Sequence, residues 1–329
     1  MQKMILAVLL SSMVVMILGI FVIPLLKKLK LSQKERKEGP QTHLAKAGTP
    51  SMGGIIILAG VIAGTLAFSV GSMVYALPCL IVTLTCGLIG FIDDSVKIKG
   101  SGKGLRAYQK IIAQFLVAFA VGLYCKRYFG TAIELAFFDI EIDLGWAYIP
   151  VAMIVVLAAV NSVNLIDGVD GRSSSVTLIY ALSMGLIFVV LSNVRSAEGQ
   201  VMLAHGYDGM AVFAGAIAGG CLGFLRFNAY PAKIMMGDTG SLALGGAVAM
   251  MALSSKAILL LLIMGGCYVA TSISVILQVG SYKLRHKRIF KMAPLHHHFE
   301  LMGITEPKIV AGYAIVTALL CLVGLLAYV

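Results

Sequence analysis

Residues 148–171 read Tyr148-Ile-Pro-Val-Ala-Met-Ile-Val-Val-Leu-Ala-Ala-Val160, followed by Asn161-Ser-Val-Asn-Leu-Ile-Asp-Gly-Val-Asp-Gly171. The first part is almost wholly apolar and long enough for most of a membrane crossing. The second part brings two Asn and two Asp to its end. Polar groups cost several kcal/mol when they enter hydrocarbon unpaired, so their placement at the mouth of such a run marks a site. Asn161, Asn164, Asp167 and Asp170 recur about one helical turn apart and drift slowly around the axis. Gly168 and Gly171 interrupt the helix and let backbone approach a ligand. Two carboxylates with amides one turn above them suit a hard cation and a phosphate. The plainer alternative is a capped helix followed by a polar loop.

The rest of the chain repeats the apolar pattern. Of its 329 residues, 59% are hydrophobic and 12% charged, far from the usual soluble balance. The expectation is an all-α polytopic membrane protein, one integral domain over 1–329. About ten spans are read near 4–26, 52–70, 74–92, 110–125, 147–163, 175–192, 208–225, 240–254, 257–281 and 308–329. The eighth is the weakest, and short runs beside polar motifs are compatible with a polar cavity inside the bilayer. The first span has no cleavage pattern and ends in a basic flank, Lys27 to Lys30, so it reads as a retained span. Most Lys and Arg fall in the odd-numbered connections; Lys3, Lys126, Arg127, Arg195 and Lys256 fall on the other side. That bias places the odd loops in the cytoplasm and both termini outside. It accounts for the net charge of +11 and leaves a basic face suited to anionic lipid or polyphosphate; no nucleic-acid module accompanies it. The six Cys show no CxxC pairing and read as small packing residues.

Further motifs sit at span ends on the same side. Gly48, Pro50, Gly53 and Gly54 lead into the second span, whose N-terminal N–H groups, with Lys46 nearby, suggest an anion site. The third span ends in Asp93-Asp-Ser-Val-Lys97, and adjacent Asp93 and Asp94 point about 100° apart, so they cannot duplicate each other. Lys97 lies one turn on, able to pair with Asp93 or bind phosphate. Lys110 opens the fourth span as a second phosphate contact. Between Lys126 and Ala147, alternating acidic and apolar residues predict a small outer β-hairpin. The seventh span delivers Asn228, then Met235 and Asp238 on a glycine-rich turn that suits a metal ligand. His296, His297 and His298 fan out too widely to share one ion, and read either as phosphate hydrogen-bonders or as an adventitious metal tract. Carboxylates for Mg2+ with Lys and His for phosphates are the components of phosphoryl transfer.

Taken in order, GTPSMGG (48–54), FIDDSVK (91–97), NSVNLIDGVDG (161–171), FNAYPAKIMMGDTGS (227–241) and MAPLHHHFE (292–300) resemble the bacterial phospho-N-acetylmuramoyl-pentapeptide transferases. The resemblance runs from about Gln41 to Val310. It implies attack of undecaprenyl phosphate on the sugar-linked phosphate of UDP-N-acetylmuramoyl-pentapeptide, giving lipid I and UMP with Mg2+ as cofactor. It also implies a ten-helix homodimer in the bacterial inner membrane, with a cytoplasmic active site and a groove for the lipid chain. Carried over by motif, Asp238 resembles a Mg2+ ligand, with Asp167 a second. Asp93 resembles the residue that deprotonates the lipid phosphate, with Asp94, Asp167 and His296 beside it. Lys46, Lys97, Lys110, Asn161, Asn164 and Asn228 resemble substrate-positioning residues, as do His297 and His298. Leu165, Gly168, Val169 and Asp170 resemble the uridine pocket, with Met235 at its edge. Transfer is either direct, which is the expectation, or passes through an aspartyl-phosphate.

The chain departs from the pattern at Arg172-Ser173, where the family has Leu-Ala. It departs again at Met235, where an aromatic is usual, and at Ala311-Gly-Tyr313, where Arg-Phe is frequent. Two other functions fit less well: the same mechanism on UDP-N-acetylglucosamine, and a transporter, which favours midplane polar residues and inverted repeats.

Overall fold

The computed structural model describes residues 1–29, 48–99, 104–138 and 140–328. Helices dominate: α1 (Gln2–Lys28), α2 (Gly54–Phe68), α3 (Met73–Lys99), α4 (Ala107–Tyr128), α5 (Tyr148–Ile166), α6 (Arg172–Ala197), α7 (Val201–Asn228), α8 (Gly237–Ser254), α9 (Leu260–Met264), α10 (Gly266–Arg285), α11 (Leu295–Glu300) and α12 (Glu306–Leu325). Strands β1 (Ala132–Leu135) and β2 (Ile140–Asp143) form the expected hairpin, antiparallel with Glu134 opposite Glu141. Asp139, counted in the hairpin sequence, lies outside the described residues, as do Lys46 and Lys103.

Seven helices are long and apolar enough to cross a membrane: α1, α3, α4, α5, α6, α7 and α12. The other three expected spans are also helical, with differences that have physical causes. Helix α2 is 15 residues long. Helix α8 is rich in Gly and Ala, and every residue from Thr239 to Ser254 is buried. A helix wrapped by protein needs small residues rather than lipid-facing ones, which is why its apolar signal is weak. The expected span at 257–281 breaks at Gly265 into α9 and α10.

Packing follows from glycines spaced one turn apart. Gly215, Gly219 and Gly223 on α7 face the α1 backbone: a Cβ on each would stand 2.6, 2.3 and 2.6 Å from the carbonyl oxygens of Met4, Val8 and Ser12. Only a glycine face permits that approach, the arrangement by which membrane helices gain van der Waals contact without a hydrophobic drive. Helix α3 presses on α8 in the same way, since a Cβ at Gly90 would lie 2.0 Å from the Asp238 carbonyl oxygen.

These contacts bring the α3–α4, α5–α6 and α7–α8 connections to one end of the bundle. The hairpin lies at the other, where the Glu134 N–H donates to the Lys256 carbonyl at 3.0 Å.

Candidate functional site

Three elements meet in one ion-pair network. Asp93 and Lys97 stand one turn apart at the end of α3, Lys110 lies in the first turn of α4, and Asp238 in the first turn of α8. Lys97 Nζ is 2.7 Å from Asp93 Oδ2 and 2.9 Å from Asp238 Oδ2; Lys110 Nζ is 2.7 Å from the same Asp238 oxygen. The remaining Asp238 oxygen accepts from Asn164 Nδ2 at 2.9 Å, and that amide also donates to Ser241 Oγ at 2.8 Å. Asp93 Oδ1 accepts the Leu105 N–H at 2.6 Å. Asp93 is buried, and both lysine side chains keep about a fifth of their surface open, 22% for Lys97 and 18% for Lys110. A partly open ammonium paired with a buried carboxylate can exchange that partner for an arriving phosphate oxygen.

Asp94 does something different from its neighbour. Its Oδ1 accepts the Asp238 N–H at 3.2 Å, and its Oδ2 accepts the Thr239 N–H at 2.9 Å and the Thr239 hydroxyl at 2.7 Å. It therefore caps the N-terminus of α8, whose first N–H groups have no intrahelical partner, and complements the positive end of the helix. Its carboxylate fixes Asp238 from below.

A second half of the site is built on the α5–α6 turn. Asp167 ends α5, and Gly171 caps α6 with φ 74°, a left-handed conformation that favours glycine. Burial pushes the Asp167 carboxyl well above the usual carboxylate range; the Arg172 charge opposes this, and Asp238, Asp94 and Asp170 reinforce it. Asp170 Oδ2 accepts the Ala232 N–H at 2.9 Å. Asn228 accepts the Gly171 N–H at 3.1 Å and donates to the Ile234 carbonyl at 2.9 Å. Buried as it is, Asn228 laces two loops together. His296, also buried, lies against the turn: a Cβ at Gly168 would stand 2.7 Å from its Nε2.

The other expected residues are placed as follows. Leu165 and Val169 flank Asp167 in this turn. Asn161 points away from it, donating to Gln114 Oε1 and the Leu157 carbonyl, both at 2.8 Å. His297 Nδ1 is 2.6 Å from Glu300 Oε2 and His298 Nδ1 accepts the Lys291 N–H at 3.2 Å, while the His296 and His297 rings lie 4.0 Å apart, so only His298 turns away from the other two. Met235 is half-buried; its N–H donates to the Pro50 carbonyl at 2.8 Å and its carbonyl accepts from Gly53 at 2.9 Å. With Gly54 N–H bound to the Met236 carbonyl at 2.9 Å, the start of α2 is engaged by protein. The anion site expected there is not supported: its donors hold the loop that carries Asp238. Lys46 lies outside the described residues.

Sequence reasoning passed over Thr239, Ser241, Gln114 and Glu300. Thr239 and Ser241 sit in the same Gly-Asp-Thr-Gly-Ser run as Asp238, and Gln114 lies one turn after Lys110, so spacing alone flags them.

Among the described residues no group of three His, Cys, Asp or Glu converges on a point for a metal ion. The half-buried Asp167 and Asp238 still offer hard oxygens. Mg2+ accepts such a set, because it commonly takes one or two carboxylates and completes its shell with water and substrate phosphates.

The chain is similar to known proteins along most of its length. The model of glycosyl transferase family 4 matches residues 76–256, and a signature of phospho-N-acetylmuramoyl-pentapeptide transferases matches residues 46–58. A relative from Caldanaerobacter subterraneus is 47% identical over 96% of both chains. One from Caldicellulosiruptor bescii is 44% identical over 98% of this chain and 96% of its own, and one from Clostridium perfringens is 45% identical with the same coverage. All three carry the name phospho-N-acetylmuramoyl-pentapeptide-transferase.

Proposed function

The chain belongs to the phospho-N-acetylmuramoyl-pentapeptide-transferase family, and on that premise we propose how its site works. It is a multi-pass membrane transferase that passes phospho-N-acetylmuramoyl-pentapeptide from its UDP donor to undecaprenyl phosphate, forming lipid I in peptidoglycan synthesis. Donation from UDP-N-acetylglucosamine and transport are not favoured, since the relatives share the muramoyl-pentapeptide name.

An oxygen of the lipid phosphate attacks the sugar-linked phosphorus of the donor. The bond from that phosphorus to the bridging oxygen breaks, and UMP leaves with the bonding pair. Both substrates are polyanions, so the barrier is largely electrostatic. The observation that carries this reading is the Asp93–Lys97–Asp238–Lys110 network, with Nζ to oxygen distances of 2.7–2.9 Å. Lys97 and Lys110 turn from the carboxylates to the phosphate oxygens. Asp93, then released, takes the last proton of the lipid phosphate, which is mostly ionised near neutrality. Asn164 holds Asp238 in register throughout, and Asp94 holds the helix that carries it. Direct attack is the expected route: Asp93, freed at Oδ2, serves as base, while the Leu105 N–H keeps its other oxygen in place.

Asp238 and Asp167 are the residues to hold Mg2+. When bound, the ion neutralises charge on the diphosphate and on the phosphorus in flight. Burial of the Asp167 carboxyl supports this, since a bound divalent cation would favour its ionised form. The Lys and Arg bias supports a site on the cytoplasmic side with both termini outside; ten spans and a bacterial inner membrane rest on the family resemblance. A single domain and a homodimer rest on the family resemblance.

The test is UMP release by the purified protein given both substrates, with and without Mg2+. Release that needs all three components supports the reading. Release from UDP-N-acetylglucosamine, or without added divalent cation after chelation, contradicts the donor or the metal assignment respectively.

A further inference from the structure

Arg172 is among the largest side chains with no exposed surface. Taking a guanidinium out of water costs several kcal/mol unless it is paired. Its pairing here is unusual. Nε donates to the Ile166 carbonyl at 2.6 Å, and Nη2 donates to the same oxygen. The guanidinium carbon lies 5.1 Å over the Tyr313 ring. Nη1 has no hydrogen-bond partner among the described residues. No phosphate reaches a group so enclosed, so the charge acts through its neighbours.

The location shows which neighbours. Arg172 opens α6, where a helix dipole disfavours a cation. Its side chain folds back across the turn to the last carbonyl of α5, where a cation is favoured. One residue thus joins α5 and α6 to α12 through Tyr313, bracketing Asp167–Gly171. The guanidinium also stands beside the contact between turn and histidine: a Cβ at Gly168 would be 3.7 Å from Arg172 Nη2 and 2.7 Å from His296 Nε2.

We propose that Arg172 is a positioning residue for the nucleotide-sugar substrate: through the Ile166 carbonyl and the Tyr313 ring it sets where the Asp167–Gly171 turn stands against His296. This rests on the transferase reading and deepens it. The choice of substrate follows from how the site divides. Lys97 and Lys110 mark the half that takes phosphates. The turn, His296 and the half-buried Met235 offer backbone, imidazole and thioether, which suit a nucleoside, and only the donor carries one. Only the Gly168–Gly171 part of the turn, beside Arg172, is assigned to the nucleoside; held in place before substrate arrives it stabilises ground state and transition state alike, so loosening it raises KM and leaves kcat.

The test uses the full-length membrane protein in detergent, with Arg172→Lys and Tyr313→Leu. Lysine keeps the charge but cannot give two bonds to one carbonyl or lay a flat face on a ring. The expectation for Arg172→Lys is a KM for the nucleotide sugar raised about tenfold. Its kcat stays within about twofold of wild type, and the KM for the polyprenyl phosphate is unchanged. Tyr313→Leu shifts the same KM, and the double variant is no worse than the stronger single one, as for two parts of one clamp. UMP affinity measured by calorimetry, which needs no turnover, weakens by the same factor. A fall in kcat with both KM values unchanged, a rise in both KM values, or unaltered UMP affinity overturns the proposal. If Arg172→Lys fails to fold, Tyr313→Leu decides by the same criteria. Wild-type turnover in the same preparation tests the transferase reading separately.

Discussion

Asp93 and Asp94 are adjacent, yet their carboxylates serve different elements: Asp93 joins the lysines, and Asp94 caps α8. Replacing Asp94 by Ala leaves the α8 N–H groups unpaired, so a loss of about 1–2 kcal/mol is expected. A lowered unfolding temperature in detergent would show it, and an unchanged one would refute the capping role. Asn228→Ala orphans a buried N–H and a buried carbonyl and is expected to cost about 1–3 kcal/mol. In that case turnover per folded molecule is retained, and selective loss of turnover would return Asn228 to the substrate contacts. At this scale the sequence picks out the residues that meet in the network, Asp93, Lys97, Lys110 and Asp238, because charges at the ends of apolar runs have few structural reasons to be there. It hides what each does. Asp94, Asn228 and Arg172 look alike as polar residues in motifs, and their partners Thr239, Gly171 and Tyr313 are settled only by tertiary contact.

Among the elements, the α1–α7 crossing depends most sharply on residue size. Gly219 allows no Cβ, since the atom it would meet is the Val8 carbonyl oxygen rather than a movable side chain. Gly219→Val is therefore expected to force the helices apart and to cost at least about 1–3 kcal/mol, as overpacking does. Size-exclusion recovery after a heat challenge measures this, and wild-type recovery would contradict the packing. Helix α8 shows the limit of reading elements from hydropathy. Its Gly and Ala give a weak apolar signal because α3, α5 and their neighbours cover it, not because it is short of a structural role. The break falls at a Gly265-Gly266 pair, a local breaker signal that the long apolar run around it outweighed.

For the whole molecule, the charge bias makes a claim about sides. All six native cysteines are buried, so an introduced thiol reports alone. Phe138 in the hairpin and Lys233 before α8 are both exposed and belong to opposite ends. In intact cells Phe138→Cys is expected to react with a membrane-impermeant maleimide, and Lys233→Cys only after permeabilisation. The reverse pattern would invert the molecule and put the site outside. The helical, multi-span character was legible from run lengths; the close approach of α3 to α8 was not, because it depends on the absence of a side chain at Gly90.

The central claim is that the Asp93–Lys97–Asp238–Lys110 network carries phosphoryl transfer. The most direct measurement is the rate of UMP release by Asp238→Asn, an isosteric change that removes the charge shared by both lysines. The account predicts a loss of about a hundredfold or more, with an unaltered elution profile and helical content. Asp238→Asn turning over at the wild-type rate would contradict it.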